Sequence, residues 1–160
     1  MNQNLKAFGD MLAHAEGTST HRLTKCNGYD VVVTGSDGKP EVFSDFSDHP
    51  FAKGRPAKKI NSKGLFSTAS GRYQQIYKYW PVYKAQLGLP DFSPESQEKL
   101  MVQLLKERKA YEDVLNGRIT DAITKVRTIW ASLPNSGHGQ PEKSLSELLK
   151  VYQAAGGTLA

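Results

Sequence analysis

The chain has 160 residues, enough for one domain with a real core, and its 38% hydrophobic and 23% charged residues are ordinary for a globular protein. Twenty-one Lys and Arg against sixteen Asp and Glu leave a net charge of +5, which favours anionic partners such as nucleic acid, membrane surfaces or cell-wall polymers. The single cysteine, Cys26, excludes an internal disulfide, and no apolar run approaches membrane-spanning length.

The N-terminus lacks the apolar run of a signal peptide, so the chain is expected to be made as a soluble cytoplasmic protein. Leu5, Phe8, Met11, Leu12 and Ala15 recur at three- and four-residue steps and predict an amphipathic helix. Gly17 marks its stop, in the left-handed position that glycine takes cheaply. Glu16 is then the last carboxylate of the helix, at the end where the helix dipole disfavours an anion. If that end is half-buried, desolvation also favours the neutral carboxyl, and a carboxyl that keeps its proton suits a general acid. The competing reading is an ordinary surface glutamate.

Residues 28–46 predict a hairpin. Tyr29 to Val33 is aromatic and β-branched, Ser36-Asp37-Gly38-Lys39 supplies turn chemistry, and Val42 to Phe46 alternates apolar with polar. Residues 51–69 are basic and rich in Gly, Pro and Ser, and predict a long ordered loop or flap of the functional or mobile kind. A helix is expected from Ser70, capped by Ser70 or Thr68 and carrying Tyr73, Ile76, Tyr77 and Trp80 as far as Leu87, with Pro81 forcing a kink or a break. Ser93-Pro94 predicts a helix to about Arg108, and a short piece spans 110–115. Thr120 is expected to cap a helix through Ile129 and Trp130. Residues 132–141 form a second flexible loop, and Ser144 opens a last helix that Gly156-Gly157 stops. This order predicts an α+β chain, a small β lobe beside a larger helical lobe, with a cleft between them and Glu16 at the join.

The constellations of chemical interest are few. Glu16, Asp30, Asp45 and Asp48 are the carboxylates near the proposed join. Glycosidases that use water need two, and Asp30 is the better second candidate, since Asp45 and Asp48 suit the turn into His49-Pro50. Ser70-Gly71-Arg72-Tyr73-Gln74 offers an amide suited to acetamido sugars. His14, His21, His49 and His138 match no zinc spacing and read as surface or structural groups. No nucleophile elbow, P-loop or dinucleotide fingerprint is present. Tyr77 and Trp80 read as core. Cys26 has no spacing that marks a nucleophile.

Taken together, Glu16-Gly17, Gly28-Tyr29-Asp30, FSDFSDHP at 43–50, SGRYQ at 70–74, QLGLPDFSP at 86–94, IWASLP at 129–134, Gly137-His138-Gly139-Gln140 and AAGGT at 154–158 resemble the endolysins of the bacteriophage lambda type. The matches run in order over essentially the whole chain. The resemblance implies a single lysozyme-like catalytic domain over 1–160, with the β lobe at roughly 28–50 and mobile lips at 51–69 and 132–141. It implies a lytic transglycosylase that cuts bacterial peptidoglycan between N-acetylmuramic acid and N-acetylglucosamine and leaves a 1,6-anhydro end. It further implies one catalytic glutamate, Glu16, and no cofactor or metal. Substrate binding falls by the same resemblance to Tyr29, Asp30, Ser70, Tyr73, Gln74, Ser132, Pro134 and His138. The expected partner is peptidoglycan rather than nucleic acid or membrane, the expected state a monomer, and release to the wall is expected to need a separate membrane-permeabilising factor. The hairpin tip at Gly35–Pro40 and the flap before Ser70 depart from the family pattern in length, and His138 stands where a tyrosine is expected. The alternatives are a true muramidase with Asp30 as second carboxylate, a silent wall-binding module, and a nucleic-acid binder using Lys53–Lys63.

Overall fold

A computed structural model describes residues 1–160. The helices are α1 (Gln3–Glu16), α2 (Trp80–Leu87), α3 (Pro94–Glu107), α4 (Tyr111–Leu115), α5 (Ile119–Val126) and α6 (Leu145–Ala154). The strands are β1 (Val31–Val32), β2 (Glu41–Val42), β3 (Lys58–Lys59) and β4 (Phe66–Ser67), paired as two antiparallel hairpins. The chain forms two compact units: a helical unit, residues 1–17 and 101–160, and a hairpin unit, residues 18–100.

In the helical unit α1 buries the predicted face, with Leu5, Phe8, Met11, Leu12 and Ala15 all inaccessible or nearly so. Asn2 caps it, its Oδ1 accepting from the Asn4 and Leu5 amides at 2.9 and 3.1 Å. Gly17 ends it at φ 73°, and its amide returns to the His14 carbonyl. The helix packs against α6 and α4. Ser144 caps α6, its Oγ accepting from Glu147 N at 3.1 Å, as the sequence predicts. Two expectations fail here. Helix α5 starts at Ile119 with no side-chain cap, so Thr120 lies inside the helix and not at its cap. It also stops at Val126, and Ile129 and Trp130 continue as turns rather than helix.

The hairpin unit departs further from expectation. β1 and β2 pair over only two residues each, Val31 with Val42 and Val32 with Glu41. The flap at 51–69 is not only a loop: it contains the second hairpin, Lys58 with Ser67 and Lys59 with Phe66. Main-chain bonds join the hairpins, Ser36 N to Lys59 O at 2.8 Å and Val33 N to Ala69 O at 3.0 Å. Glu41 adds an ionic tie, accepting from Arg55 through both carboxylate oxygens at 2.6 and 2.7 Å and from Lys58 at 2.8 Å. The Arg55 bond, aided by Lys58, pulls the Glu41 carboxyl down to about 2 against its burial. Part of the basic density that suggested a nucleic-acid contact is thereby neutralised within the fold.

No helix begins at Ser70. That residue is buried in an extended bridge to Val32 on one side and Gln75 on the other. Gly71 at φ 83° and Gln74 at φ 51° turn the chain back, conformations a helix cannot contain. The helix starts at Trp80, after a single 3₁₀ turn at Tyr77–Tyr79, and Pro81 falls in its first turn, where a missing amide costs nothing. Trp80 and Tyr73 are buried as core residues, whereas Ile76 and Tyr79 are exposed. Asp45 and Asp48 serve the turn as predicted: Asp45 accepts from Ser47 N, and Asp48 from His49 N and Trp80 Nε1. His49 is structural. Its Nδ1 accepts from Phe51 N, so its Nε2 carries the proton and donates to the Gln75 carbonyl at 2.8 Å. Burial lowers its pKa and keeps the ring neutral.

Candidate active site

Glu16 is the last residue of α1, at the helix end that carries partial negative charge. It is half-buried, and burial raises its pKa from 4.5 to about 7, offset in part by the Ser132 hydroxyl. Ser132 sits in the WASLP turn, held by Leu133 N to Trp130 O at 3.2 Å and by Lys143 N to its own carbonyl at 2.8 Å. Its Oγ is buried and completes no hydrogen bond of ordinary geometry. A carboxyl that is near half-protonated at neutral pH can give a proton to a leaving oxygen and take one back in the same turnover. Pro134 is half-buried in the same turn, and His138 is exposed, its Nε2 2.9 Å from the Thr128 carbonyl. His14, on the outer face of α1, contacts Glu147 at 2.7 Å.

The other residues chosen from the sequence lie in the hairpin unit. Asp30 is buried, and its carboxylate is committed locally: the Thr24 hydroxyl donates to Oδ1 and Lys25 N donates to Oδ2 at 2.9 Å. Thr24 in turn accepts from Gly28 N at 2.8 Å. Asp30 therefore closes the 24–30 turn. Cys26 lies in this turn, where burial and the Asp30 charge push its thiol pKa up, away from a reactive thiolate. The Gln74 amide is not free in a helical first turn; it donates to the Gly71 carbonyl at 3.0 Å.

Tyr29 and Tyr73 come together through a residue the sequence did not single out. Both hydroxyls donate to Oε1 of Glu98 on α3, at 2.6 and 2.5 Å. The Arg72 guanidinium lies 5.2 Å from the Tyr29 ring centre and 5.8 Å from that of Tyr73. The neighbouring Gln97 is buried and clamps the backbone, accepting from Arg72 N at 2.9 Å and donating to the carbonyls of Tyr29 and Phe92. Its Oε1 occupies the space a Cβ at Gly71 would need. Only a three-dimensional contact reveals Glu98, since its partners are 69 and 25 residues away in the chain. Elsewhere in this unit a cavity of about 440 Å³, lined among others by Asp48, Tyr77, Trp80 and Lys84, holds none of the sequence-chosen site residues.

Six α-helices and two short antiparallel hairpins make this chain a lysozyme-like α+β protein. Its fold matches the bacteriophage lambda lysozyme complexed with a chitohexasaccharide, with a TM-score of 0.89 and 44% identity, over 100% of this chain and 98% of that one. A second structure of the lysozyme from bacteriophage lambda matches with a TM-score of 0.86 and 43% identity, over the same shares. The family model described as Endolysin matches residues 6–159. The endolysin of Escherichia phage P2 is 60% identical over 99% of this chain and 96% of its own length, and that of Escherichia phage lambda is 45% identical over 99% and 95%. The chain belongs to the endolysin family, the phage enzymes that degrade the bacterial cell wall.

Proposed function

We propose that this endolysin is a lytic transglycosylase, cleaving the β-1,4 bond between N-acetylmuramic acid and N-acetylglucosamine in peptidoglycan with Glu16 as its one acid and base. The protonated carboxyl of Glu16 gives its proton to the glycosidic oxygen as the C1–O bond breaks. The oxocarbenium-like centre is then attacked by the C6 hydroxyl of the same muramic acid, whose proton passes to the Glu16 carboxylate. The proton balance closes, no water is consumed, and the new end is 1,6-anhydromuramic acid. A hydrolysing lysozyme would need a second carboxylate to activate water or to attack in its place. The carrying observation is the state of Asp30: the candidate for that role is buried and its carboxylate is spent on Thr24 and Lys25. The raised pKa of Glu16 supports its use as the acid.

The chitohexasaccharide held by the lambda lysozyme supports an N-acetylated glycan as the substrate class. Within the hairpin unit Tyr29 and Gln74 are assigned to sugar binding, and within the helical unit Ser132, Pro134 and His138; Ser70 and Tyr73, expected to join them, are fully buried and are left out of that role. The enzyme acts as a monomer, and its delivery to the wall is assigned to a separate membrane-permeabilising factor. No helix is long and apolar enough to cross a membrane. The test is to digest purified peptidoglycan and weigh the soluble fragments by mass spectrometry. Fragments lighter by one water than reducing-end muropeptides are expected. Reducing-end muramic acid as the main product would replace this reading with a hydrolytic one.

A further inference from the structure

We infer that Glu98 is a positioning residue for the glycan: it holds the Tyr29 hydroxyl on the carboxylate oxygen that also anchors the buried Tyr73, and so fixes the half-buried Tyr29 ring as the face on which a sugar ring stacks. The inference rests on the reading of the substrate as a glycan and is independent of whether the bond is broken by transglycosylation or hydrolysis.

Three features of the cluster separate this role from simple packing. Tyr29 is only half-buried, while its hydroxyl makes a 2.6 Å bond to a carboxylate. Holding a half-buried side chain with a charge-assisted bond removes freedom that binding would otherwise have to remove. The backbone of the same segments is already secured by Gln97, through the Tyr29 carbonyl and the Arg72 amide. Glu98 thus adds no main-chain support; it acts only on the far ends of two aromatic side chains. Finally, Arg72 lies beside both rings and is itself buried, which leaves each ring a fixed cationic neighbour on one side. Consecutive residues of α3 divide the work: Gln97 sets the chain, and Glu98 sets the rings.

The experiment compares the full-length wild type with Glu98→Ala, Glu98→Gln and Tyr29→Phe. Chitohexaose affinity is measured by calorimetry, and kcat and KM on soluble glycan strands. Glu98→Ala is expected to weaken chitohexaose binding and raise KM by about tenfold, with kcat changing by less than about twofold. Glu98→Gln, whose amide oxygen still accepts two hydroxyls, should recover affinity to within about threefold of wild type. Tyr29→Phe keeps the ring and loses the tether, so it should raise KM by an intermediate factor, and combined with Glu98→Ala it should add little. If Glu98→Ala fails to fold, Tyr29→Phe decides, because it removes a single hydroxyl from a half-exposed site. Unchanged affinity and KM in folded Glu98→Ala or in Tyr29→Phe, or a loss confined to kcat, would overturn the inference and leave the glycan reading intact. A wild type that binds no chitohexaose and cleaves no glycan would overturn both.

Discussion

Glu16 ends α1 half-buried, where desolvation raises its pKa to about 7, whereas Asp30 sits in a turn whose donors converge on it. Both are acidic side chains partly or wholly removed from bulk water, yet one has only the Ser132 hydroxyl to ease its charge and the other has its donors in place. The first is poised to exchange a proton near neutrality; the second is a strut. Burial alone does not make an acid catalytic. What matters is whether the fold has already supplied the hydrogen bonds that its anion would otherwise seek.

The largest test of that contrast is Glu16→Gln. It preserves shape, removes the exchangeable proton, and should lower cell-wall lysis by about a thousandfold, measured as turbidity loss of a wall suspension. Full lysis by a folded Glu16→Gln protein would remove Glu16 from the chemistry. The same substitution should raise stability. Glu16 binds its proton more tightly folded than unfolded, so its penalty is absent below pH 4.5, grows as the unfolded chain ionises, and is complete above about pH 7. Urea unfolding at pH 8 should therefore find Glu16→Gln more stable than wild type by on the order of 2 to 3 kcal/mol, and at pH 4 no different. A gain of equal size at both pH values would point to packing instead.

Asp30→Asn should do the reverse. One of its two donors, the rigid Lys25 amide or the Thr24 hydroxyl, meets an NH₂ group, at a cost of about 1 to 2 kcal/mol in chemical denaturation. Lysis per folded molecule should stay within about tenfold of wild type; a dead but folded variant would restore Asp30 to catalysis. The smallest effect is expected at Glu41, whose partners Arg55 and Lys58 are partly solvated. Glu41→Gln should cost about 1 kcal/mol or less at neutral pH. Because folding depresses the Glu41 pKa to about 2, that difference should fade as pH drops from 4.5 towards 2, which acid unfolding of both proteins would show.

The helical unit was legible because its signals are local. The spacing of Leu5, Phe8, Met11 and Leu12, the stop at Gly17, and the cap at Ser144 each act within a few residues. Glu16 was half legible: its place one residue before a helix-ending glycine marks it in the sequence, whereas the burial that raises its pKa comes only with the folded helical unit. The hairpin unit was not. Lys58-Lys59 and Phe66-Ser67 are too short to show alternation, and they pair because Ile60 N finds Leu65 O across a turn. The aromatic spacing from Tyr73 to Trp80 imitates a helix, but the positive φ of Gly71 and Gln74 and the bridges of Ser70 prevail over it. Glu98 left no trace in the sequence, because its meaning lies in two hydroxyls brought from distant segments.

The close fit of Gly71 against Gln97 bears on how this sequence can drift. Any side chain at position 71 must displace the Gln97 amide, and displacing that amide orphans the Arg72 amide and two carbonyls together. Shortening Gln97 to make room incurs the same loss. Neither position can change first, so neutral variation must step over the pair. A saturation-mutagenesis survey scored by lysis would return both as invariant, with profiles indistinguishable from that of a residue that touches the sugar. Scoring the same library by folded abundance would separate them: Gly71 and Gln97 variants should disappear from the folded pool, while Glu16 variants should remain in it.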